Sequence, residues 1–182
     1  MILYVAIGIM VLLIIYTIIQ YNAFVRANNN VEEAFSTMDV YLKKRWDLIP
    51  NLLEVVKGYA KHEKDTLNQV TSLRTGNYDG MSMNNKISVN EQITQGIAKI
   101  IAISENYPEL KASDSFLKLS EDLTKIEDEI ANSRKYYNGT VRELNNKIQM
   151  FPSNIVAVLF GFKLAESFET NSEEKNNVKV SL

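Results

Sequence analysis

The side chains best suited to chemistry are few and scattered along the chain. The single histidine, His62, stands in Ala60-Lys61-His62-Glu63. A metal site needs several converging ligands, so a lone histidine among charged neighbours reads as a solvated surface residue. Glu127-Asp128-Glu129 is a dense acidic run. Consecutive residues on a helix point in different directions, so the run reads as a solvated face rather than a ligand set. The Glu-x-x-His pairs of di-iron helical bundles are missing, as are a glycine-rich phosphate loop and a Gly-x-Ser-x-Gly elbow. Cysteine is absent, which removes disulfides, thiolate metal ligands and thiol nucleophiles together. The sequence predicts a protein that is not an enzyme, with no cofactor, no metal and no small-molecule substrate.

Two stretches carry chemistry of another kind. Lys43-Lys44-Arg45-Trp46 is the densest basic cluster and holds the only tryptophan; Asp47, Pro50 and Asn51 follow it. One reading is a contact with anionic lipid or a protein partner. The favoured reading is a helix end at a hairpin, where cations suit the negative pole and tryptophan caps the core. Phe151-Pro152-Ser153-Asn154 opens a segment without charge up to Phe162. Phe151, Ile155, Val158, Leu159 and Phe162 either close the base of a helical bundle or lie in a membrane interface. The second alternative requires the helices to run up, down, up and down from a first turn at Pro50. A chain continuing through Pro50 would carry this segment far from the membrane.

The elements that must position these residues are helices. The chain has 182 residues, a net charge of −2, three prolines and seven glycines. That is enough length for one domain with a core and too little turn chemistry for a sheet protein. The charge balance argues against a nucleic-acid partner. Met1 to Ile19 contains no charged side chain, and at about 1.5 Å per residue it is long enough to cross the roughly 30 Å hydrocarbon layer. Ile2, Leu3, Val11, Leu12 and Ile19 mark the expected anchor, residues 1–21. A cleaved signal peptide would want basic residues before the run and a small-residue cleavage site after it. Arg26, then Lys43, Lys44 and Arg45, place the remainder on the cytoplasmic side of the inner membrane by the positive-inside bias.

Apolar residues then recur at spacings of three and four. They predict an antiparallel up-and-down four-helix bundle over residues 22–168, with helices at about 22–48, 51–75, 89–106 and 113–150 and a short one at 153–168. Ser88-Val89-Asn90-Glu91 has the spacing of a capping box at the third helix start. Gly76 to Lys86 reads as an exposed loop. Residues 169–182 read as a disordered tail.

Beyond these patterns the chain resembles the LemA family of bacterial single-pass membrane proteins. The matching stretches are Tyr21-Asn22, Ala34-Phe35-Ser36, Asp39 through Leu52, Val56 through Glu63, Tyr107 through Ala112, Arg134 through Asn138, and Phe151 through Asn154. The resemblance implies a four-helix bundle behind one membrane helix and supplies no reaction. It also implies links, in some relatives, with membrane proteases of the heat-shock type or with organised membrane compartments. The expected function is a membrane-anchored scaffold or adaptor. The alternative is a sensor or regulator that transmits a signal through a continuous first helix and is linked to a membrane protease. The expected partners are the bilayer and a membrane-associated protein or a second copy.

Overall fold

The first helix does not stop at the first proline. In the computed structural model, which describes residues 1–73 and 76–168, the helix α1 runs unbroken over Ile2–Tyr59 with Pro50 inside it. Pro50 has no N–H to give to the preceding turn, yet Ile49, Leu52, Leu53 and Val56 around it are all buried. Tertiary packing of that stripe outweighs the missing bond. Of the two courses the sequence leaves open at Pro50, a turn or a continuation, the chain takes the second, so the separate helices expected at 22–48 and 51–75 are corrected; the chain leaves the helix ten residues later, through Ala60 to Glu63.

Helix α2 covers Lys64–Ser72, and a 3-10 turn follows at Tyr78–Gly80. Helix α3 covers Met83–Glu105, α4 is the single turn Pro108–Lys111, α5 covers Asp114–Gln149 and α6 covers Ser153–Phe160. The fold is all-α, with no strand among the described residues. Helix α3 begins six residues before the expected capping box. Its cap is Ser82, whose hydroxyl accepts from the Asn85 N–H at 3.3 Å, and Ser88 to Glu91 lie inside the helix. Helix α2, at nine residues, is far shorter than the expected second bundle helix. The expected helix at 153–168 ends at Phe160, where Gly161 takes the left-handed conformation (φ 73°) that glycine adopts without steric cost. The expected disordered tail, residues 169–182, lies outside the described residues.

The chain divides into two compact units. Among the described residues, one holds Ala34–Lys135; the other holds Met1–Glu33 and residues 136–168. Helices α1 and α5 each contribute to both.

In the unit of residues 34–135, α3 runs parallel to α1. Asp39 meets Lys86, Arg45 meets Asn90 and Thr94, and Glu63 meets Tyr107. The short α2 and the turn after it therefore carry the chain back along α1. Gly96 of α3 faces α2 closely: a Cβ there would lie 3.2 Å from Val70 Cγ2. Its missing side chain is what lets the two helices approach. The turn that reads as an exposed loop is anchored instead by Tyr78, which is buried.

In the other unit, residues 2–15 of α1 are exposed throughout, and cover begins at Tyr16, Thr17 and Gln20. Helix α1 is long and apolar enough to cross a membrane: its most apolar 18-residue window has mean hydropathy 2.8 and is 0% buried. Phe24 is fully buried and stacks on Phe162, with ring centroids 4.8 Å apart. After Gly161 the chain lies extended along α5. The amide of Asn145 exchanges two hydrogen bonds with the backbone of Ala165, both at 2.9 Å. Asn138 does the same with Phe168, at 2.9 and 2.8 Å. The spacings match: seven helical residues advance about 10.5 Å, and three extended residues advance about 10 Å.

Candidate functional site: a buried arginine and its ring of partners

The stretch Asp39 to Leu52 faces two ways because a helix of 3.6 residues per turn alternates its sides. Leu42, Arg45, Trp46, Ile49 and Leu52 point inward and are buried. Lys44, Asp47 and Asn51 are exposed, and Lys43 and Pro50 are half-buried. Lys43 Nζ donates to Asp47 one turn on, at 2.8 Å. Lys44 lies over the Tyr41 ring, 5.2 Å from its centroid. The cluster does not mark a helix end, since α1 continues to Tyr59. That reading is overturned: the cations sit mid-helix, and Trp46 belongs to the core rather than capping it.

Arg45 is the centre of the arrangement, with 0% of its surface exposed. A buried guanidinium needs partners for its donors, because an unpaired buried charge is costly. Its Nη1 donates to Glu127 of α5 at 2.5 Å and to the Thr94 hydroxyl at 3.0 Å. Its Nη2 donates to the Asn90 backbone carbonyl at 3.0 Å and to the Asn90 side-chain oxygen at 2.8 Å. Asn90 is itself fully buried, and its amide donates back to the Lys86 carbonyl at 2.9 Å. One side chain on α1 thus holds a turn of α3 and a carboxylate of α5. Glu127, read from sequence as part of a solvated face, is the charge partner. Its side chain is 37% exposed, so water reaches the pair from that side.

A second polar group lies one to two turns earlier. The Tyr78 hydroxyl donates to Asp39 Oδ1 at 2.7 Å, and Lys86 Nζ donates to the other oxygen of Asp39. Lys86 also lies 4.7 Å from the centroid of the Tyr78 ring, and the Trp46 ring packs against it with centroids 5.3 Å apart. Burial pushes the Tyr78 phenol well above its ordinary range, and the hydrogen bond and charge of Asp39 push it further. The Tyr137 phenol, which donates to the Glu166 carbonyl at 2.8 Å, is also raised, first by burial and then by the Glu166 charge.

Arg45 is thus paired with Glu127 and Lys86 with Asp39, and both phenols donate hydrogen bonds. Beside them α3 and α5 leave a groove of about 360 Å³ whose walls include Leu52, Ile97, Phe116 and Leu123. Among the described residues, no three of His, Asp and Glu converge as metal ligands. His62 is exposed.

Sequence reasoning named Lys43, Arg45, Trp46 and Asp47 but missed their partners Tyr78, Lys86, Asn90, Thr94 and Glu127. The available signal was weak: an arginine on the same helical stripe as Leu42 and Ile49. The interface candidates divide. Phe151, Ile155, Val158 and Leu159 are exposed, whereas Phe162 is turned onto Phe24 and leaves that face. The expectation that a chain continuing through Pro50 carries this segment far from the apolar run is overturned: α1 does continue, and Phe160 and Phe162 still meet Tyr21 and Phe24 just after that run.

The LemA family profile matches residues 34–182. The chain belongs to the LemA family. The match begins after the apolar run and covers the Asp39–Leu52 stretch with all the partners of Arg45. Protein LemA of Metamycoplasma hominis is 27% identical over 162 residues, covering 88% of this chain and 74% of the relative. Magnetosome protein MamQ 2 of Paramagnetospirillum magneticum is 25% identical over 178 residues, covering 84% of this chain. Magnetosome protein MamQ of Magnetospirillum gryphiswaldense is 24% identical over 177 residues. The chain spans just under two thirds of the length of these magnetosome proteins, 65% in each.

Two outcomes follow for the site. Glu127→Leu takes the counter-charge from the guanidinium, which keeps Asn90 and Thr94, and lowers stability by about 2 kcal/mol. Adding Arg45→Met recovers part of that loss, because the buried charge leaves with its partner. Denaturant unfolding of the detergent-solubilised chain reads both, and a double variant as unstable as the sum of the singles means the pair is uncoupled. For the phenols, folded values above the unfolded value of about 10 give stability that is complete below pH 10 and falls as pH rises beyond it. The stability gap between the parent and Tyr78→Phe is therefore widest near neutral pH and narrows above about pH 10; a constant gap would contradict the raised phenol.

Proposed function

We propose that this LemA-family protein is a membrane-anchored helical scaffold of a bacterial inner membrane, with its helical domain in the cytoplasm and no catalysis of its own. The observation that carries the reading is α1, a single helix from Ile2 to Tyr59 whose opening residues are apolar, charge-free and exposed. Residues 2–15 have no protein cover, and a hydrocarbon layer is the environment that suits them. The same helix supplies Arg45 and Trp46 to the core. Anchor and folded domain therefore share one continuous backbone with no linker between them.

The buried charge network supports a structural role. Both terminal nitrogens of Arg45 are spent on groups of α3 and α5, so the network ties three helices together. The relatives named magnetosome proteins fit a part in an assembly better than a part in turnover. A four-helix bundle, a membrane-associated protein partner or a second copy, and the absence of nucleic acid and small-molecule substrates complete the proposal. In-cell crosslinking of the full chain at native abundance is expected to recover stable adducts through the domain surface. Recovery of monomer alone would overturn it.

The unbroken backbone of α1 also favours a second reading, a sensor whose signal passes along that helix, with a membrane protease as the downstream element. Each inserted residue rotates everything after it by about 100° and adds about 1.5 Å. Inserting one to three residues between Gln20 and Arg26 is then expected to change the phenotype with the angle of rotation. An unchanged phenotype across the series leaves the scaffold reading standing without the sensor.

A further inference from the structure

We infer that α6 is a second membrane contact: its exposed apolar face rests in the lipid headgroup layer beside the point where α1 leaves the bilayer. The inference rests on residues 2–19 crossing the membrane, as proposed above, and adds a separate lipid-binding surface to that anchor.

The surface itself is plain from exposure. Helix α6 turns Val156 and Ala157 inward. It leaves Ile155, Val158 and Leu159 exposed at 60%, 83% and 71%, with Phe151 before them at 79%. No charged residue occurs from Met150 to Phe162. A contiguous apolar face of this kind, on a segment with polar neighbours, marks a contact site.

Its depth is fixed by aromatic contacts within the same unit. The Phe160 and Phe162 rings lie 4.9 and 5.8 Å from the Tyr21 ring, and Phe162 stacks on Phe24. Tyr21 and Phe24 come two and five residues after Ile19, the last residue of the charge-free run. At the helical rise that is about 3 and 7.5 Å past the end of the run. An interfacial helix buries its apolar face about 5–10 Å into the boundary between headgroups and acyl chains. The partial cover of Tyr16, Thr17 and Gln20 begins inside the run itself. The end of α6 therefore touches α1 at the level of the interface, not beyond it.

Charge placement agrees. Lys163 directly follows Phe162, Arg26 comes two residues after Phe24, and both are exposed. Long cationic side chains at this level reach phosphate groups while their stems cover apolar surface. Lipid is the occupant these observations favour, because α6 and the segment after it meet, through Phe160 and Phe162, the helix whose own apolar run is already assigned to lipid.

The absence of cysteine makes a direct depth measurement simple. Three variants of the full chain, Leu12→Cys, Val158→Cys and Glu143→Cys, are labelled with a small fluorophore. Each is reconstituted in phosphatidylcholine–phosphatidylglycerol vesicles and quenched with aqueous iodide and with lipids carrying a nitroxide near the headgroup or deep in the chain. The expected pattern is deep-nitroxide quenching at position 12 and shallow-nitroxide quenching at 158. Iodide access at 158 should be at least about threefold lower than at 143, as for a site in the interface. Leu159→Cys repeats the measurement on a neighbouring exposed position. If 12 is quenched by lipid while 158 and 159 behave like 143, the inference fails and the anchor stands. If 12 is open to iodide, the anchor reading fails and takes the inference with it. If 158 is shielded from iodide and also from both nitroxides, a second protein copy covers it, and lipid is ruled out.

Discussion

A guanidinium without access to water imposes terms on everything around it. Arg45 carries a full charge into a place where solvation is gone, and the chain must supply replacement acceptors from elsewhere in the fold. They come from two other helices: the carboxylate of Glu127 on α5, and the Asn90 carbonyl, the Asn90 side chain and Thr94 on α3. Each has one position from which it can serve. Leucine and isoleucine stripes tolerate sliding by a turn, since one apolar contact replaces another. A fork of hydrogen-bond donors does not. The register of α3 and α5 against α1 in this unit is thus specified by a polar group inside an apolar core, in the way that single buried polar residues fix register in coiled coils. Tyr78, Asp39 and Lys86 do similar work for the turn between α2 and α3.

This explains which parts of the molecule could be read in advance. The helical class, the apolar opening run and the long stripe of α5 follow from periodicity, which every residue of an element helps to state. Boundaries decided by a single interaction were harder. Pro50 reads from sequence as either a turn or an interruption the helix passes through, and the burial of Ile49, Leu52 and Leu53 around it goes with the second. The true break at Ala60 to Glu63 has only Gly58 nearby to announce it. Ser88-Val89-Asn90-Glu91 matches a capping pattern, yet Asn90 is needed in mid-helix to receive Arg45, and Ser82 caps instead. Glu127 looks like its acidic neighbours, because nothing local distinguishes the residue that meets a charge 82 positions away.

The Asp39–Leu52 stretch, where the resemblance to the LemA family is densest, gains a physical account. Its inward residues assemble the core and its outward residues satisfy one another along the helix surface, Lys43 with Asp47 and Lys44 with Tyr41. The stretch specifies a fold.

The extended segment after α6 shows how divergence is accommodated. Asn138 and Asn145 grip the peptide groups of Phe168 and Ala165, not their side chains. A clasp that reads only backbone is indifferent to spelling. Exposed positions between its two teeth, such as Glu166 and Ser167, can mutate freely or accept an appended epitope, while the two asparagines themselves cannot be exchanged even for aspartate, which has no amide hydrogens to give.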